Sequence, residues 1–104
     1  MTTNIQSVHF DADRKLLAFA NEKVGKLNTF YDGVIAAEVT LKLDKSSSSD
    51  NKIAEIKLLG PGHEFFAKKQ CLSFEEAIDL CCEALRTQLK KHKDKTLELK
   101  KVGV

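Results

Sequence analysis

Across residues 35–44, apolar and polar side chains alternate without a break. Ile35, Ala37, Val39, Leu41 and Leu43 fall on one side, and Ala36, Glu38, Thr40, Lys42 and Asp44 on the other. A period of two is the signature of a strand with one face buried. Two further strands follow. Residues 53–59 place Ala54, Ile56 and Leu58 toward a core, and residues 63–70 place Phe65 and Ala67 there. Gly60-Pro61-Gly62 between them reads as a tight turn, and residues 45–51, rich in serine, read as a polar loop. Residues 4–10 read as a short first strand.

Elsewhere the period changes to that of a helix. Asp13 is placed to cap a helix that runs to about residue 31, with Leu16, Ala20, Val24, Leu27 and Tyr31 as its apolar stripe. Lys15, Lys23 and Lys26 lie along a flank of that stripe, interleaved with Phe19 and Phe30. Gly25 inside this helix costs about 1 kcal/mol against alanine, which the close approach of another backbone would explain. Asp32-Gly33 ends the segment. A second helix is predicted from residue 73 to about residue 95. Ser73 and Glu76 have the spacing of a capping box, and Phe74, Ile78, Cys81, Cys82, Leu85 and Leu89 recur at helical spacing.

The order is therefore β-α-β-β-β-α, an α+β fold. A helical crossover makes the first two strands parallel, and the hairpins add antiparallel strands. The result is a four-stranded mixed sheet, wet on one face, with two helices on the other. At 104 residues this is one domain, expected to span residues 1–95 with a short C-terminal tail over residues 96–104.

Composition narrows the function. The net charge is only +2, so binding to a polyanion requires an uneven distribution of that charge. The first residues lack the basic and apolar regions of a signal peptide, and no apolar run approaches the roughly 20 residues of a membrane span. The cysteine count is odd, three, which fits a reducing compartment. Cys71, Cys81 and Cys82 have no zinc-ligand spacing and read as small core residues. His9, His63 and His92 are scattered. No phosphate loop, nucleophile elbow or H-E-x-x-H motif is present. No metal, cofactor or small-molecule substrate is implied, and the chain is not expected to be an enzyme.

The charges of the second helix are sorted along its axis. Glu75, Glu76, Asp79 and Glu83 precede Arg86, Lys90, Lys91, Lys93 and Lys95. Such sorting complements the helix dipole, and a charge run is commonly a solvated face. The dipole, however, acts only over the last turn and does not require Arg86. Arg86 and Lys90 at i,i+4 also repel one another slightly. At roughly 100° per residue, Arg86, Lys90 and Lys93 share one edge beside the apolar stripe, a row suited to a polyanion.

The segment Gln88-Leu-Lys-Lys-His-Lys-Asp-Lys95, preceded by Glu76-Ala-Ile-Asp79, resembles the ribosome hibernation-promoting factor family, which includes the ribosome-associated inhibitor A proteins. Lys23-Val-Gly-Lys-Leu-Asn-Thr-Phe-Tyr-Asp32 and Glu38-Val-Thr-Leu-Lys-Leu-Asp44 are similar to that family's matching stretches. Gln70-Cys-Leu-Ser-Phe74 departs from the family's Asp-Met-Tyr-like entry to the last helix. The resemblance covers residues 4–95 and implies a fold like that of double-stranded-RNA-binding domains. It implies a non-enzymatic cytoplasmic protein, monomeric when free, that docks on the small ribosomal subunit in starved or stationary cells. There it would contact 16S ribosomal RNA in the channel for mRNA and tRNA and repress translation. Carried over by motif, the RNA-binding residues are Lys23, Lys26, Arg86, Lys90, Lys91, Lys93 and Lys95. A chain stopping at Val104 reads as a short member, without the dimerisation domain of the long ones. A generic double-stranded-RNA-binding module is the alternative, and a small α+β enzyme a third.

Overall fold

The computed structural model describes residues 1–29, 33–45 and 49–102, with side chains described as far as residue 93. Four strands form one sheet in chain order: β1 (Thr2–Val8), β2 (Ala36–Leu43), β3 (Lys52–Gly60) and β4 (His63–Cys71). β1 and β2 are parallel, and β2–β3 and β3–β4 are antiparallel. Helix α1 (Arg14–Gly25) makes the crossover, and α2 (Phe74–Val102) closes the fold. Both helices cover one face of the sheet. α2 lies over β3 and β4, and α1 packs against α2 and β1.

The centre of the core is where periodicity predicts it, while Leu16, Leu43 and Cys82, also expected inside, are half-buried at its margin. Ala37, Val39 and Leu41 of β2 meet Ala54, Ile56 and Leu58 of β3, and Ile78, Cys81, Leu85 and Leu89 of α2 cover them. The Cys81 thiol donates to the Ala54 carbonyl at 3.3 Å, which ties the helix to the middle of the sheet. Gln88 Nε2 donates to the Phe66 carbonyl at 3.0 Å, so α2 also holds the edge strand β4. Gln70 Nε2 donates to the Asp50 carbonyl at 2.8 Å and to Asp44 Oδ2 at 3.3 Å, closing the base of the β2–β3 loop. Both helix caps form. The Leu16 N–H donates to Asp13 Oδ1 at 2.8 Å, and the Glu76 N–H to Ser73 Oγ at 3.2 Å.

Several boundaries differ from those predicted. The first strand ends at Val8 because His9 takes a left-handed backbone (φ 69°), unfavourable for a residue with a Cβ. That bend lets Phe10 leave the strand and stack on Phe74, with ring centroids 4.5 Å apart. The first helix stops at Gly25 and tightens into a 3-10 turn, Lys26–Thr29, in which Thr29 Oγ1 donates to the Lys26 carbonyl at 2.7 Å. Phe30, Tyr31 and Asp32 lie outside the described residues. Ile35, expected inside, is 60% exposed and Val34 is buried in its place. The Ile35 N–H donates to the Leu59 carbonyl at 2.7 Å and its carbonyl accepts from the Thr2 N–H at 3.0 Å, but the regular strand starts at Ala36 and the alternation does not extend back to Ile35. The last helix runs past its predicted end at about residue 95 to Val102.

The glycines also divide differently. A Cβ on Gly25 would meet nothing within 4 Å, so no backbone approach accounts for it. The close approach is at Gly60, where a Cβ would sit 2.7 Å from the Gly33 carbonyl oxygen. Pro61 followed by Gly62 at φ +74° supplies the residues a type II turn needs between β3 and β4.

Candidate nucleic-acid interface

A groove of about 280 Å³ runs between the C-terminal end of α1 and the middle of α2. Lys23, Lys26, Leu27 and Thr29 line it from one side, and Asp79, Cys82, Glu83 and Arg86 from the other. Leu27 is buried and fixes the floor, so the cations project from a rigid base. Lys23 and Lys26 belong to the first crossover and Arg86 to the last helix. The fold thus gathers three of the predicted residues from segments far apart in sequence.

Lys90 and Lys93 are exposed and follow Arg86 along α2. At about 100° per residue they lie within roughly 40° of Arg86, which extends the groove's cationic wall. Lys91 is also exposed, but its helical position is rotated by roughly 140° from Arg86, toward the side away from the groove. The Lys95 side chain lies outside the described residues.

The groove is not purely cationic. Lys23 Nζ lies 3.4 Å from Asp79 Oδ1 across the two helices, and Lys26 Nζ lies 3.7 Å from Glu22 Oε1 within its own turn. Lys23 also sits 5.6 Å above the centre of the Phe19 ring. These partners were missed from the sequence, where Asp79 and Glu83 read only as acids of the helix's first half. The signal was present, since Asp79, Glu83, Arg86, Lys90 and Lys93 share one helical edge. An exposed pair of this kind contributes only about 0–1 kcal/mol, so a phosphate can displace the carboxylate at small cost.

Cys82 lies in the same groove, half-buried. Burial, reinforced by Asp79 and opposed by Lys23, pushes its thiol up to about 11. Burial and the neighbouring Cys82 push Cys81 up to about 12, and burial also raises Cys71. All three are free thiols, protonated at neutral pH and poor nucleophiles. Among the described residues no cluster of three or more metal-ligating side chains occurs.

A second feature was not legible in the sequence. His92, on the sheet side of α2, meets Phe65 and His63 of β4, with ring centroids 5.4 and 4.3 Å apart. Residues 63 and 65 are two apart on one strand and so face the same way, toward the helix.

Over residues 3–97 the chain matches the family model described as sigma 54 modulation protein / S30EA ribosomal protein. The chain belongs to this family. It is 29% identical over 99 residues to a ribosome hibernation promoting factor of Pseudomonas putida, covering 95% of this chain and 93% of the relative. With the protein of that name from Escherichia coli K12 it shares 28% over 95 residues, covering 91% and 96%. Among solved structures, a ribosomal subunit interface protein from Coxiella burnetii superposes with a TM-score of 0.80 at 20% identity, covering 90% of this chain and 99% of that one. The Thermus thermophilus Protein Y N-terminal domain gives 0.75 at 22% identity, covering 88% and 99%. These two likenesses are of fold. The family is one of ribosome-binding, non-enzymatic proteins.

Proposed function

We propose that this protein is a ribosome hibernation factor that binds the small ribosomal subunit in the mRNA and tRNA channel and represses translation in stationary phase or stress. The observation that carries this reading is the two-sided groove, in which Lys23 and Lys26 face Arg86, with Lys90 and Lys93 continuing along α2. Folded RNA presents phosphates and shape rather than a readable major groove, and cations held in register on packed helices suit it. The seven residues Lys23, Lys26, Arg86, Lys90, Lys91, Lys93 and Lys95 are the proposed contacts with 16S ribosomal RNA, within a binding domain of residues 1–95. The free protein acts as a monomer in the cytoplasm, and among the described residues no helix is long and apolar enough to cross a membrane. Inhibition needs no chemistry, because occupying the channel excludes tRNA and mRNA by volume.

The test is a sucrose gradient of stationary-phase lysate probed for the protein, followed by co-sedimentation of purified protein with small subunits. Comigration that survives an excess of free duplex RNA supports the reading. Loss of comigration to the competitor points to a general duplex-RNA module instead.

A further inference from the structure

The phosphate-binding groove leaves the ring cluster at the other side of α2 without a role. Phe65 is buried at the margin of the core, His92 is half-buried above it, and His63 is exposed. The three rings meet edge to face, with interplanar angles of 75° for Phe65–His92 and 64° for His63–His92. The inner one is anchored by packing and the outermost is presented to solvent. His63 is the first residue of β4, immediately after Gly62 and paired with Gly60, so the turn fixes its backbone. In sequence His92 lies between Lys91 and Lys93, both exposed.

The geometry points to a stacking site for one unpaired RNA nucleobase on the exposed face of His63, with a flanking phosphate held by Lys91. This rests on the ribosome-binding reading above and adds to it a contact that is not electrostatic. Unpaired bases are bound by stacking on His, Phe, Tyr or Trp, and every base offers such a face. A ring already held by a second ring loses little freedom on binding. Lys91, turned away from the groove, gains a role here that the groove does not give it.

The experiment measures binding of the whole protein to purified small subunits over a range of salt concentrations, for the native chain, His63→Ala and His63→Phe, with melting followed on each. His63→Ala is expected to weaken binding about tenfold at every salt concentration, in line with the loss of one stacked base. The slope of log affinity against log salt stays unchanged, because no cation is removed. His63→Phe restores binding, since a phenyl face stacks as well. If His63→Ala binds like the native chain, or His63→Phe is as weak as His63→Ala while both melt normally, the stacking site is wrong and the groove reading stands. Failure of the native chain to bind at all overturns both.

Discussion

Lys23 and Asp79 face one another across the two helices, 3.4 Å apart, at the point where the candidate RNA groove is narrow enough for an ion pair. The contact joins α1 to α2 and at the same time occupies a cation that the proposed function assigns to phosphate. Its side chains are 37% and 53% exposed, so solvent screens the pair and its loss costs the fold little.

Asp79→Asn should therefore release Lys23 and remove one repulsion from an incoming phosphate. The expected result is tighter small-subunit binding, by roughly two- to fivefold, with stability changed by less than about 1 kcal/mol. Pelleting titrations and urea unfolding of the same variant check this. Weaker binding by a stably folded Asp79→Asn protein would mean that the pair positions Lys23 rather than restraining it.

The two glycines Gly25 and Gly60 make opposite predictions. Gly25 ends α1 with open space around it, so Gly25→Ala should stabilise the protein by about 0.4–1 kcal/mol through the unfolded chain. Gly60→Ala drives a Cβ against the Gly33 carbonyl and should destabilise it by about 1–3 kcal/mol. Denaturant midpoints at constant slope separate the two.

The sheet and the apolar stripes were legible in the sequence because burial follows period two in the strands and 3.6 in the helices. Val39, Leu41, Ala54, Ile56, Ile78 and Leu85 all sit where their spacing puts them. What failed was local backbone conformation. The positive φ at His9, the switch to a 3-10 turn after Gly25 and the exposure of Ile35 each depend on packing across the fold, which periodicity does not encode. In the candidate site, the cations could be placed by helical phase and by the family resemblance. Their carboxylate partners and the His63–His92 contact required the crossing of separate elements.

Stability should fall at alkaline pH. The folded Cys82 and Cys81 thiols are raised to about 11 and about 12 from an ordinary 9.0. A group whose folded pKa is raised contributes stability fully below its unfolded pKa and loses it as pH rises through the folded value. The melting temperature should drop between about pH 9 and pH 12, and a Cys81→Ala, Cys82→Ala variant should show less of that drop. At neutral pH the thiols should react slowly with a disulfide reagent in the folded protein and rapidly in denaturant.

If about five of the seven proposed basic residues meet phosphates, log affinity for the small subunit should fall with log salt at a slope of about −4. Titrations across a range of monovalent salt check this, and a flat response would remove the electrostatic mechanism.

The most direct measurement of the central claim is binding to small subunits, and inhibition of translation in vitro, by a variant carrying Arg86→Glu, Lys90→Glu and Lys93→Glu. Its control carries Lys45→Glu, Lys57→Glu and Lys68→Glu, which changes the net charge equally but away from the groove. Circular dichroism melting confirms that each is folded. The helix variant should keep its fold yet neither bind nor inhibit, while the control should retain most of both. Equal binding by the native chain and the folded helix variant would contradict it.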